Sequence, residues 1–229
     1  MYTSGPVANP DRSGPPQPSA TQRVYDHVKT RILAATYAGG DLLTEGRLGD
    51  LTGVSRTPVR EALLRLEAEG LVRLYPKKGA LVVPVTAEEA ADIVEARTLV
   101  ETWSAPRAWA ARKGLADDLA PLVDAMRGHR DRADVVAFSE ADRSFHEQIV
   151  AAAGNAVLTR LYRGLRERQL CINVAVIRVS AERMDAAIAD HADLVALLRG
   201  DDEQAFLDLT ESHLRRAVSQ LESAGASAR

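Results

Sequence analysis

Helix start and stop signals crowd so closely between Thr21 and Val85 that they admit only a small compact unit. Val24, Val28, Ile32 and Leu33 recur at helical spacing, and Gly39-Gly40 are the expected stop of this first helix. Thr44 is placed to cap a short second helix through Leu51. Thr52 and Gly53 break it, and Ser55 is placed to cap a third, in which Val59, Leu63 and Leu66 face inward before Gly70 ends it. Two β-favouring runs follow, Leu71 to Tyr75 and Ala80 to Val85, separated by Pro76-Lys77-Lys78-Gly79. Three helices and a hairpin with a basic turn are expected, that is, a helix-turn-helix with a wing.

Thr86 with Glu89 three residues on reads as a capping box that opens a new long helix, which sets a domain boundary near residue 85. Beyond it Gly114, Gly128, Gly154, Ser180 and Gly200 are read as punctuation between five or six helical segments. The β-branched stretch Cys171 to Val179 suits helix or strand by propensity; it is assigned to helix because its amphipathic flanks offer no partner strand. The chain is 46% apolar and only 4% aromatic, which favours a core of packed helices over a sandwich of strands. The fold class expected is mainly α, an N-terminal winged helix-turn-helix plus a C-terminal all-α bundle. Five prolines among Gly, Ser and Asn make residues 1–20 a disordered arm, followed by a winged domain at 21–85, a helical domain at 86–224 and a flexible tail at 225–229.

The net charge of -3 gives the chain as a whole no excess of positive charge for a polyanion, so any nucleic-acid contact must be local. Arg56, Arg60, Arg65, Arg73, Lys77 and Lys78 outnumber Glu61, Glu67 and Glu69 and supply such a patch, although the same charges suit a solvated helix face. Cys171 is the sole cysteine, which excludes an intramolecular disulfide or a multi-thiolate metal site and fits a reducing cytoplasm. Neither a membrane-spanning run nor the apolar core of a signal peptide is visible, so a soluble cytoplasmic protein is expected.

Residues Gly53 to Leu63 follow a short helix and a tight turn, the arrangement that sets the N-terminus of a recognition helix against the major groove. Ser55 and Thr57 can bond phosphates, Arg56 and Arg60 can reach bases or phosphates, and Pro58 is tolerated in a first turn. Elsewhere, Asp142 and His146 are one helical turn apart and project from one face, and His191 and His213 lie on two later helical segments. Together they are candidate ligands for one metal, against the alternative of ordinary packed or exposed histidines. His27 and His129 lack a partner at ligand spacing and are read as surface residues.

The stretch Val54 to Leu66, continuing to Glu69-Gly70-Leu71 and preceded by Val24-Tyr25-Asp26 and Gly40-Asp41-Leu42-Leu43-Thr44-Glu45, resembles the GntR family of bacterial regulators over residues 21–85. The resemblance implies DNA contacts at Ser55, Arg56, Thr57 and Arg60 and at Gly79 on the wing tip, with Lys77 and Lys78 adding phosphate contacts. Arg65 and Arg73 lie outside those positions and are read as surface ion pairs. Gly46 departs from the pattern, since relatives commonly place a longer polar or basic residue there. From about Glu88 to Leu221 the chain resembles the helical sensor domain of the FadR-type branch, carried by Phe145-His146, Gly154-Asn155 and Asp190-His191. That resemblance implies a divalent metal at Asp142, His146, His191 and His213, zinc first and nickel or manganese as alternatives. It also places an inward-facing arginine at Arg97, able to clamp an effector carboxylate or to pair with Glu101.

Three imidazoles and one carboxylate leave positions for ligand oxygens on a metal of higher coordination number. The function expected is therefore a homodimeric, DNA-binding repressor released by a small organic acid. The same metal set could serve a hydrolase or lyase, but no His-Glu-x-x-His run, Gly-x-Ser-x-Gly or Gly-rich phosphate loop accompanies it. An adaptor whose N-terminal domain binds protein is the third reading.

Overall fold

The computed structural model describes residues 18–165, 168–172 and 181–227. The expected arm lies outside these residues apart from its last three positions, as does the tail's end. The first unit contains α1 (Ala20–Leu33), β1 (Leu42–Leu43), α2 (Glu45–Thr52), α3 (Arg56–Ala68), β2 (Val72–Tyr75) and β3 (Gly79–Val82). The second contains α4 (Ala87–Ala108), a short 3-10 turn, α5 (Arg112–Asp131), α6 (Val135–Ala152), α7 (Ala156–Gly164), a helical turn at 168–172, α8 (Ala181–Arg199) and α9 (Glu203–Ser227). The mainly α class with a winged helix-turn-helix and a helical bundle holds.

In the first unit the Thr44 hydroxyl accepts from the Arg47 amide and starts α2. Gly53, at φ 67, supplies the left-handed residue that turns the chain into α3. Ser55 is the first flanking residue of α3, but its side chain makes no capping bond. Val59, Ala62, Leu63 and Leu66 fall at helical spacing and are at most 1% exposed, packing on Val24 and Val28 of α1. Each large side chain buried in this way contributes about 1.5–3 kcal/mol, so truncating Leu63 alone would strip much of the support from the exposed face of α3.

Two boundaries differ from expectation. The first helix ends at Leu33 rather than near Gly39, because Ala35 adopts φ 51 and the amides of Thr36 and Tyr37 both turn back to the Arg31 carbonyl. Leu33 itself packs beside Leu170 of the second unit. The wing gains a strand: β1 pairs with β3, Leu42 opposite Leu81, making a three-stranded sheet in the order β1-β3-β2. A two-residue strand is too short to leave a periodic trace.

In the second unit α5 runs through Gly114, Gly128 and Pro121, so neither glycine separates helices. Its Leu115, Leu119, Val123 and Met126 stripe is buried against Phe138, Phe145 and Ile149 of α6 and Leu194 and Leu198 of α8. That burial outweighs the roughly 1 kcal/mol that a glycine costs inside a helix. Gly154 does end α6, at φ 75, and Gly200 separates α8 from α9. Cys171 and Ile172 are helical as expected, whereas residues 173–179 of that stretch, and the Ser180 break, lie outside the described residues. Among the described residues no helix is long and apolar enough to cross a membrane.

Candidate functional site

The reader surface is built by presenting one face of α3 inward and the other outward. Ser55, Arg56, Thr57 and Arg60 are all exposed, as are Lys77 and Lys78 in the β2–β3 turn. An open groove of about 640 Å³ is lined by Arg56, Arg60, Leu63 and Glu67 of α3, by Pro76, Lys77, Lys78 and Gly79 of the wing, and by Thr44, Glu45 and Gly46 at the start of α2. Among the described residues Arg56, Arg60, Lys77 and Lys78 have no internal acidic partner, so four cations face one groove. Gly46 lies in this groove with open space around it, consistent with a missing contact rather than a packing need.

Gly79 lines the same groove and carries a backbone constraint of its own. It is the first residue of β3 at φ 122, and a Cβ there would lie 2.3 Å from the Leu43 carbonyl oxygen. The position is reserved by β1, and the turn's outermost residues are Pro76 to Lys78. Arg65 is structural, as expected, but its partners are not a glutamate: it bonds Gln22 at 2.9 Å and stacks 4.1 Å from the Tyr25 ring.

The four expected metal ligands converge from three helices. Asp142 and His146 share one face of α6, His191 comes from α8 and His213 from α9. His146 Nε2 lies 3.2 Å from His191 Nε2, and Asp142 Oδ1 lies 3.9 Å from the first and 3.7 Å from the second. The donor atoms of the three histidines all fall within 4.8 Å of one another. Two nitrogens about 2.0–2.1 Å from one zinc would stand roughly 3 Å apart, so the imidazole pair already has ligand spacing.

Carboxylates behind the rings fix which nitrogen is offered. Glu101 Oε2 accepts from His146 Nδ1 at 2.7 Å, and Asp190 Oδ2 accepts from His213 Nδ1 at 2.8 Å. Each carboxylate fixes its ring by accepting at Nδ1, which leaves each Nε2 turned towards the cluster. His191 is fully buried against Phe145, and its Nδ1 has no hydrogen-bond partner among the described residues. Burial, and then the charges of its neighbours, holds this imidazole well below its ordinary pKa, so it is neutral and competent to donate.

Glu101, which sequence reading had seen only as a partner for Arg97, is a hub. It is 2% exposed, and its Oε1 accepts from Arg97 Nε at 3.1 Å and from the Tyr162 hydroxyl at 2.6 Å. Burial works against its charge, but His146 and Arg97 beside it hold the carboxyl well below the carboxylate range. Arg97 is thus inward-facing and paired with Glu101 rather than free. Tyr162 and Gln169, buried at 1% exposure each, complete the setting and had no signal in the sequence; Asp190 was visible only as the neighbour of His191. His27 is half-buried and bonded to Arg31 and Tyr37, and His129 bonds Arg132; neither joins the cluster.

Residues 20–82 match the family described as bacterial regulatory proteins, gntR family, and residues 92–216, more than half of the chain, match the FCD domain. The chain is 31% identical over 145 residues to the gluconate operon transcriptional repressor of Bacillus licheniformis, covering 63% of this chain and 59% of that protein. It therefore spans less than two thirds of that relative's length. It is 26% identical over 221 residues to the galactonate operon transcriptional repressor of Escherichia coli, covering 86% of this chain and 96% of the relative. A putative GntR transcriptional regulator from Rhodococcus sp. RHA1 shares the fold, with a TM-score of 0.72, 22% identity and coverage of 89% of this chain and 98% of that one. These families and relatives are regulators, which sets aside the hydrolase and lyase alternatives. By both domain matches, the chain belongs to the GntR family of bacterial regulators, in the FadR-type branch that carries an FCD domain.

Proposed function

We propose that this chain is a homodimeric transcriptional repressor whose grip on operator DNA is released by a small carboxylate bound at a divalent metal. The observation that carries the sensing half is the 3.2 Å pair of Nε2 atoms on His146 and His191, with Nδ1 of His146 and of His213 tied to Glu101 and Asp190. Asp142, His146, His191 and His213 would hold the metal, zinc by preference and nickel or manganese as alternatives. When bound, such a metal supplies open coordination positions for carboxylate oxygens. Arg97, held by Glu101 one turn along α4, offers a cation for the remainder of the acid.

The DNA half rests on Ser55, Arg56, Thr57 and Arg60 at the start of α3 and on Lys77, Lys78 and Gly79 of the wing, which line a groove with Arg56 and Arg60. The names of the gluconate and galactonate operon repressors make polyhydroxy acids the first effectors to screen. An apolar patch supports the dimer. Leu99 and Trp103 stand one turn apart on α4, Val157 and Leu161 one turn apart on α7, and the two helices pack together with these side chains 36–67% exposed.

Metal analysis of purified protein and of His191→Ala, followed by thermal-shift screening of sugar acids with and without metal, tests the reading. Near-stoichiometric metal that falls in the variant, with acids raising the melting temperature only of the metal-loaded protein, is the expected result. Full metal content in His191→Ala would sink the assigned site.

A further inference from the structure

The histidine site and the DNA-reading unit meet at one short element, the helical turn at 168–172. Gln169 is 1% exposed, and with its amide oxygen turned towards Arg97 it accepts from that guanidinium. Arg97 and Tyr162 are the two groups that bond Glu101 Oε1, and Glu101 Oε2 is the group that holds His146. One residue earlier, Arg168 points the other way. Its Nε donates to Glu89 Oε1 at 2.6 Å, its Nη2 to the Pro84 carbonyl at 3.0 Å and to Glu89 Oε2, and its Nη1 to the Val83 carbonyl at 3.3 Å.

Val83 is hooked from both sides, since its amide donates to the Leu71 carbonyl of the winged unit while its carbonyl accepts from Arg168. The Arg168 stem lies against Gly70, where α3 ends. The next three residues divide between the same bodies. Leu170 packs on Leu33 of α1, Cys171 on the winged unit's core, and Ile172 on Ala90 and Ile93 of α4. Thr86 caps α4 through Glu89's amide as expected, but Glu89's carboxylate does not return the bond to Thr86 and is given to Arg168 instead. The linker between the units is therefore clasped by an arginine adjacent to a residue that bonds the hub's partner Arg97.

We propose that the turn 168–172 is a relay in which Gln169 reports the arrangement of the Glu101–His146 pair and Arg168 transmits it to the linker 83–86 and to the end of α3. The proposal deepens the preceding reading, on which it rests for the purpose of the coupling, by naming the path through which occupancy of the site alters the winged unit. It predicts that a change at the hub loosens or tightens the linker only while the Arg168 clasp is intact.

The test is hydrogen exchange on the full chain, stripped of metal and then given zinc alone, in the unaltered protein and in Arg168→Met. Zinc is expected to slow exchange in α6, α8 and α9 of both proteins but to slow residues 83–90 only in the unaltered one. Equal slowing of 83–90 in both proteins overturns the relay. If zinc slows nothing in α6, α8 or α9, the metal reading falls, and Tyr162→Phe decides the relay without it. Removing that hydroxyl should speed exchange at 83–90 about tenfold, the ordinary worth of one hydrogen bond in a local opening equilibrium. It should have no such effect in the Arg168→Met background. No change, or the same change in both backgrounds, overturns the proposal. Glu89→Gln, which loosens the clasp from its other side, replaces Arg168→Met should that variant not fold.

Discussion

Replacing Glu101 with Gln changes one heavy atom and should disturb both the fold and the site. The carboxylate accepts from three donors, Arg97 Nε, the Tyr162 hydroxyl and His146 Nδ1, and is 2% exposed. A glutamine can keep its oxygen on Arg97 and Tyr162, but its amide nitrogen then meets the Nδ1–H of His146, donor against donor. The conflict is relieved if His146 moves its proton to Nε2, which removes the lone pair from the metal side. Arg97, 5% exposed, meanwhile loses its counter-charge. Stripping one partner from a buried pair costs about 3–5 kcal/mol. At roughly 2–4 °C per kcal/mol for a chain of this size, the melting temperature should fall by about 6–20 °C. Loss of the carboxylate behind a ligating histidine should weaken metal about 10–100-fold. Calorimetry on metal-free protein reads the first effect, and competition against a chromogenic zinc chelator reads the second. A melting temperature within two or three degrees of the parent together with unchanged zinc affinity would refute the hub argument.

Arg56→Ala should weaken operator binding by about 1–3 kcal/mol, read by gel shift, while metal content stays unchanged. With Arg56, Arg60, Lys77 and Lys78 on each protomer of a dimer, log K against log salt should fall with a slope of about -7; a slope near zero would favour the protein-binding adaptor. Gly79→Ala should destabilise the wing by at least about 1–3 kcal/mol through its backbone angle and the Leu43 carbonyl. Its unfolding should show that loss without DNA present, whereas a pure DNA-contact role would leave the free protein's stability unaltered. The Arg168 bond holds Glu89 below the ordinary carboxylate range. The folded chain therefore releases this proton more readily than the unfolded one. Stability from the clasp is full above about pH 4.3 and is lost as pH falls through the folded-state value. Proteolytic nicking at 83–86 should increase over that fall in the parent, and Glu89→Gln should flatten the response.

Capping residues and apolar spacing made the winged unit legible, because Thr44, Gly53 and the Val59-Leu63-Leu66 stripe act within one or two turns of themselves. The same local logic misread Gly114 and Gly128, whose helix is held by the buried stripe it shares with α6 and α8. It also misplaced the end of α1, where Ala35 turns left-handed at φ 51 without a glycine to announce it. The clustering of Asp142, His146, His191 and His213 was legible because chemistry restricts which residues can serve a metal and Asp142 and His146 stand one turn apart. Their supporting groups were not: Tyr162 and Gln169 matter only because folding brings them to Glu101, and Thr86-Glu89 signals a reciprocal cap whose carboxylate a distant arginine has taken.

The two faces of α3 share no residue. Val59, Ala62, Leu63 and Leu66 are sealed at no more than 1% exposure, while Ser55, Arg56, Thr57 and Arg60 face outward. Substituting the outward four should therefore cost the folded domain little, and if they read the operator as proposed, a lineage can change the address on the chromosome without touching the helical domain or whatever it binds.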